Sequence, residues 1–296
     1  HLKTVMVWNW LIAVLFCVLA AVVNWRGAGI DKKIAWFTLA ASSFFVFNPG
    51  GYQVMLWGLP PVYSLLSLLF LVGVFLAQSR LPVGIKITGG GLLSLFASFV
   101  LGNGMFFWVA LPVVLLLHED VENVRKSRAA LFLFGALFGL AVAGYALGSV
   151  AQPRSAPGAG PGLDAIGIGL FFLALTGNFV SLSLTPQPVH LAEVVGALIV
   201  LLFAVAAPVA ARRRTGAQRK TALVWGMFGL FWLVSGLSAA IARQTFGIGY
   251  ALDASRYVTA SSFFLLATLV LAVIALTGAG VKLRSFLLTA VAILSA

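Results

Sequence analysis

Acidic side chains are scarce in this chain: seven Asp and Glu stand against nineteen Lys and Arg in 296 residues. No two of them have a spacing that suits paired general acid–base work, so an acid–base enzyme would have a thin supply of candidates. Cysteine is rarer still. Cys17 is alone, so no disulfide can form within the chain and the redox compartment goes unreported. It lies inside an apolar run and reads as a small buried hydrophobe. Of three histidines, His118 and His190 stand isolated, and no His/Cys metal cluster, P-loop or nucleophile elbow occurs. No cofactor is evident, and a divalent metal has no motif to support it. The alternating period of a membrane β-barrel is also missing.

What is present is apolar. Hydrophobic residues make up 61% of the chain and the mean hydropathy is +1.08. Soluble domains run at about 45–50% apolar. Repeated apolar runs of spanning length therefore predict an all-α, polytopic transmembrane helical bundle, because lipid offers no partner to a backbone N–H or C=O and only helices satisfy their own. The net charge of +12 would suggest nucleic acid in a soluble protein. Here basic residues collect in loops, as membrane topology requires, and membrane lipids rather than nucleic acid are the expected partners.

Apolar runs cover residues 5–23, 34–47, 62–78, 87–101, 105–117, 129–150, 165–184, 191–211, 222–242, 261–277 and 286–296. Gly135, Gly139 and Gly144 in the sixth recur at roughly helical spacing, which predicts close helix packing. Residues 152–162 read as a flexible linker. If 165–184 dips in and returns on one side while the others cross, fifteen Lys and Arg fall on one face, and Lys3, Arg154, Arg243 and Arg256 on the other. That is the asymmetry of the positive-inside rule. The reading is about ten crossings plus one re-entrant segment, in a single domain over 1–296 with the basic face on the cytoplasmic side. A start at His1 and an end within an apolar run suggest a piece of a longer protein.

Three polar loops then share the outer face: 48–61, 102–104 and 243–259. The third holds Arg243 and Arg256, which could grip a phosphate or carboxylate through parallel hydrogen bonds or anchor to headgroups by snorkelling. Tyr250 and Tyr257 lie nearby. Asp253 is a weak candidate for a base; three residues from Arg256, it also suits an ion pair on one helical turn. Asn48, Tyr52, Gln53 and Trp57 offer a flat ring and amides to a sugar, or an interfacial aromatic belt with a turn. Asn103 between two glycines is a turn residue or a polar group placed near the membrane for use. Glu193 reads as a charge at a helix N-terminus.

Three segments carry a resemblance: Phe47-Asn-Pro-Gly-Gly-Tyr-Gln-Val-Met-Leu-Trp-Gly58, Ser98-Phe-Val-Leu-Gly-Asn-Gly-Met-Phe-Phe-Trp108, and Arg243-Gln-Thr-Phe-Gly-Ile-Gly followed by Ala254-Ser-Arg-Tyr-Val-Thr259. Over most of 34–277 the chain resembles a group of bacterial polytopic membrane proteins regarded as similar to GT-C class glycosyltransferases, which use polyprenyl-phosphate-linked sugars. The resemblance implies an outward-facing reactive side and a lipid-phosphate sugar donor. By position it makes Tyr52, Gln53, Trp57, Asn103, Arg243, Arg256 and Tyr257 substrate-binding candidates. The chain departs from the pattern after Gln53, where Val54 and Met55 stand, and in the catalytic acid of the first external loop: Asp31 sits in a basic turn instead. A transporter or flippase for lipid-linked saccharides, or a non-catalytic assembly subunit, are the other readings.

Overall fold

A computed structural model describes residues 2–26, 32–47, 62–151, 164–180, 189–214, 216–243, 246–253 and 255–277, apart from the side chains of Leu2, Lys33, Ser149, Val150, Ala151, Val180, Arg213, Asp253, Ser255 and Arg256. The elements are α1 (Leu2–Arg26), α2 (Lys32–Val46), α3 (Val62–Gln78), α4 (Val83–Val100), a 3-10 turn (Gly102–Phe106), α5 (Phe107–His118), α6 (Val121–Lys126), α7 (Arg128–Ala151), α8 (Ala165–Gly177), a second 3-10 turn (Asn178–Val180), α9 (Val189–Arg213), α10 (Gly216–Arg243), α11 (Gly249–Asp253) and α12 (Ser255–Thr277). No strand occurs among the described residues, so the all-helical expectation holds. Among the described residues six helices, α1, α4, α7, α9, α10 and α12, are long and apolar enough to cross a membrane, and four apolar helices are shorter. The expected count of about ten is not reached on that measure. The linker 152–162, the loop 48–61 and the run 286–296 lie outside the described residues.

The bundle is built around α12. Nearly every residue of its stretch Tyr257–Thr277 is buried, whereas in Arg128–Gly148 of α7 almost none is. Its wall is an aromatic cluster. Phe263 meets Phe16 of α1 edge-on at 4.8 Å and stacks on Trp232 of α10 at 5.4 Å, while Phe107 of α5 meets Phe231 at 5.3 Å. Such offset and edge contacts suit the ring quadrupoles. The far end of α12 leaves orphan carbonyls, as every helix does. Arg214 supplies the donors: its Nη2 bonds Ile274 O at 2.8 Å and Thr277 Oγ1 at 2.6 Å, and its Nε reaches Ile274 O at 3.2 Å.

Side-chain pairings sort the helix ends into two groups. Asn24, just past the apolar run 5–23, is fully buried within α1. Its Nδ2 donates to Thr38 Oγ1 of α2 (2.6 Å), and its Oδ1 accepts from Trp225 Nε1 of α10 (2.7 Å). Arg26 lies 4.4 Å over the Phe75 ring of α3. Lys86, buried in the first turn of α4, bonds Ala77 O of α3 at 3.0 Å and pairs with Glu119 just past α5. This Lys86 end collects Arg26, Lys32, Arg80, Lys86, Arg125, Lys126, Arg128, Arg212, Arg214, Arg219 and Lys220, whereas Lys3 and Arg243 are the described cationic side chains at the other. The charge asymmetry read from the sequence is thus a separation in space. Lys86, expected in a loop, is instead inside a helix because its ammonium has a carboxylate and a carbonyl to replace water.

The glycine expectation for α7 fails at two of the three positions. A Cβ on Gly135 or Gly139 would meet nothing within 4 Å, whereas one on Gly144 would press on the Phe99 ring of α4. α7 packs mainly on α4, so Gly135 and Gly139 face away from the bundle. Close backbone contact occurs between α8 and α9, where a Cβ on Gly177 would strike Ala192 O and one on Gly196 would strike Leu173 O. α8 has 13 residues, about 20 Å of helix against about 30 Å of hydrocarbon. Its partners, Ala240 of α10 and Ala251, Tyr257 and Ala192, all lie toward the Arg243 end.

Two stability results follow. Glu119→Gln leaves the Lys86 ammonium without its counter-charge and should cost about 3 kcal/mol, with most of it recovered in Lys86→Met/Glu119→Gln; denaturation in mixed micelles reads both. Gly177→Ala drives a methyl into a backbone carbonyl and should cost about 1–3 kcal/mol, visible as a lowered Tm.

Candidate functional site at the Arg243 end

The polar groups at the Arg243 end are placed by three backbone devices. First, the 3-10 turn Gly102–Phe106 folds back on α4 so tightly that a Cβ on Gly104 would overlap Ala97 O. Trp108 Nε1 bonds Ser98 Oγ at 2.9 Å, and Tyr145 Oη of α7 bonds Ser98 O at 2.8 Å, fixing that turn against α4. Second, Gly247 takes φ +83°, a left-handed conformation that glycine adopts without a Cβ clash. It turns the chain after α10 so that Phe246 and Tyr250 stack at 5.2 Å. Third, Asn178, fully buried after α8, donates through Nδ2 to Ala251 O at 2.7 Å and holds α11 in place.

Arg243 closes α10, where a cation complements the helix C-terminus. Its Nη1 donates to Tyr250 Oη at 3.0 Å, and its guanidinium carbon lies 5.9 Å from the Tyr250 ring and 6.0 Å from the Phe246 ring. Cation–π attraction and one hydrogen bond thus orient the group. A guanidinium carries five N–H donors, so this bond leaves it the capacity to hold a phosphate. The aromatic series continues inward: Tyr250 to Tyr257 at 6.2 Å, then Tyr257 to Phe171 at 6.4 Å. Exposure falls from 63% at Phe246 to 3% at Tyr257.

Beneath this series lies a small cavity of about 10 Å³ bordered by Tyr63, Asn103, Trp232, Ser235, Tyr257 and Ala260. It has the room of roughly one water. Ser238 Oγ lies 3.2 Å from Asn103 Oδ1 and 3.0 Å from Ser235 O, its one proton serving both. Trp232 Nε1 and Ser235 Oγ are buried with no hydrogen-bond partner among the described residues.

The structure brings together Arg243, Tyr257 and Asn103 of the expected residues, with Tyr250 between. Tyr52, Gln53 and Trp57 lie outside the described residues, as do the side chains of Arg256 and Asp253. Asp253 ends α11 and Arg256 belongs to α12, and Ala254 between them lies outside the described residues, as does the expected ion pair. Of the described carboxylates at this end, Asp164 caps α8 through Ile166 N at 3.0 Å, and Glu193 lies 3.0 Å from His190 Nδ1. No group of three or more His, Cys, Asp or Glu forms a metal cage among the described residues.

Trp232, Ser235 and Asn178 were not singled out in the sequence. Trp232 and Ser235 sit at i and i+3 in a run that reads as plain span, and that spacing places both on one helix face. Asn178 was visible only as a break in an apolar run. Compared with known proteins, the chain matches no family model, no curated protein and no solved structure.

Asn178→Leu removes the tether between α8 and α11. Amide exchange across Gly249–Asp253 should rise about tenfold or more, the equivalent of a lost hydrogen bond worth about 1.5 kcal/mol.

Proposed function

We propose that the chain is a GT-C-like integral membrane glycosyltransferase, or part of one, that takes a polyprenyl-phosphate-linked sugar at the Arg243 end. In this reading the basic Lys86 end faces the cytoplasm, the Arg243 end faces outward, about ten segments cross a bacterial cytoplasmic membrane, and α8 enters and leaves by the outer face. The support for sidedness is the separation of cations between the two ends. The support for a re-entrant α8 is its length and its partners at one end of the bundle.

The observation that carries the substrate class is Arg243, a cation at the end otherwise poor in cations, oriented by Tyr250 over an aromatic and hydroxyl-bearing surface. A phosphate accepts two parallel N–H bonds from such a group, and the neighbouring rings offer a sugar a flat face. Asn103 and Tyr257 border the cavity below it and serve as further contacts, with Arg256 as the second phosphate ligand. Tyr52, Gln53 and Trp57 complete the sugar-facing set, and Asp253 is the weak candidate for the acid–base step.

The test is binding followed by transfer. Purified protein in detergent should bind a polyprenyl phosphate, and Arg243→Ala should weaken that binding on the order of tenfold to a hundredfold, the range of a charge-assisted hydrogen bond. Arg243→Lys should recover part of it. Binding unchanged in Arg243→Ala overturns the site. Binding that moves the lipid between leaflets of a vesicle with no new glycosidic bond favours a flippase instead.

A further inference from the structure

Among the described residues Lys86 is a buried charge that the proposed site leaves unused, and a cavity opens beside it. The crevice has a volume of about 200 Å³, below the roughly 300–1,000 Å³ of small-molecule pockets but ample for a stretch of hydrocarbon. Its wall includes Gly73 of α3, Lys86 and Gly90 of α4, Leu115 of α5, Val124 of α6, and Leu131 and Phe134 of α7, and it is apolar apart from Lys86. Gly90 keeps it open: a Cβ there would meet nothing within 4 Å.

The cations around this crevice differ in what they do. The Lys86 ammonium is engaged by Glu119 and Ala77 O. Lys126 pairs with Glu122 at 3.6 Å. Arg125 and Arg128 are exposed. Arg128, Leu131 and Phe134 follow one another at three-residue steps, so one face of α7 begins with a cation at the membrane boundary and continues as the apolar wall of the crevice. Arg125 directly follows Val124, another wall residue, on α6. That is the charge pattern of an anionic amphiphile, read from its headgroup inward.

We propose that this crevice holds an acyl chain of an anionic glycerophospholipid, with the phosphate held by Arg128 and Arg125. Transfer from bilayer to crevice exchanges one apolar surface for another, so the chain gains little from burial alone. Selectivity therefore resides in the two guanidinium groups, which meet a phosphate as paired donors. The site is independent of the proposed glycosyl-transfer site, which lies at the opposite end of the bundle.

The experiment is native mass spectrometry of the full chain released from micelles doped with phosphatidylglycerol or phosphatidylcholine. Wild type should retain one phosphatidylglycerol at least tenfold more than phosphatidylcholine. Gly90→Leu, which fills the crevice from α4, should lose that retained lipid, while Gly135→Leu, which adds the same bulk on the open face of α7, should keep it. Arg125→Gln/Arg128→Gln should abolish the preference between headgroups, and this arm holds even if Gly90→Leu fails to fold, because both arginines are exposed. Lys3→Gln, at the opposite end of the bundle, should retain phosphatidylglycerol as wild type does. Equal retention of the two lipids by wild type, or full retention by Gly90→Leu, overturns the proposal. So does a dimer that Gly90→Leu dissociates with no change in bound lipid, which would make the crevice an interface between two copies.

Discussion

The burial of α12 is the constraint on which the other helices depend. A helix surrounded by protein on nearly every side must have neighbours around its whole circumference, and α2, α3, α8, α9 and α10 supply them. Each neighbour needs one face toward α12 and another toward lipid or a further helix. Because lipid and protein interior are equally apolar, hydrophobicity cannot distinguish those faces. Position is set instead by ring contacts such as Phe16, Phe228 and Trp232 around Phe263 and by a few polar ties whose loss in a dry interior would be costly.

Those ties are concentrated at the ends. Asn24 joins α1, α2 and α10; Lys86 joins the ends of α3, α4 and α5; Arg214 closes α12; Asn178 holds α11. At each place an irregular or terminal stretch of backbone meets a long or amide side chain that supplies what water would supply outside. Among the described residues the Arg243 end has fewer cations than the Lys86 end, and at it a guanidinium is oriented by aromatic rings and a hydroxyl. This contrast in chemistry underlies both proposals: phosphate-linked sugar at one end, anionic lipid at the other.

The fold class was legible in the sequence because apolar run length is nearly sufficient to define a membrane helix. Charge sorting was legible for the same reason: Arg26, Arg80, Arg125 and Arg219 occur where runs stop. Burial of Asn24 and Lys86 was not, because each lies at the edge of a polar segment and only the third dimension brings Trp225 or Glu119 to it. The glycines of α7 misled because their spacing suits packing but says nothing about whether a neighbour is there, and none approaches Gly135 or Gly139. In the candidate site, Arg243, Asn103 and Tyr257 stood out as polar groups in loops or near their edges. Trp232 and Ser235 were hidden in a continuous apolar run, and only the cavity beside them marks them.

The crossing of α8 and α9 has a mechanical consequence. At Gly177 and Gly196 the two backbones touch with no side chain between them. Lengthwise sliding would carry larger residues into that contact, whereas rotation about it would not. The contact therefore resists sliding more than rotation, and Asn178, one residue from Gly177, would move least in such a rotation, so its bond to Ala251 O keeps α11 and the Tyr250 hydroxyl on Arg243 in place.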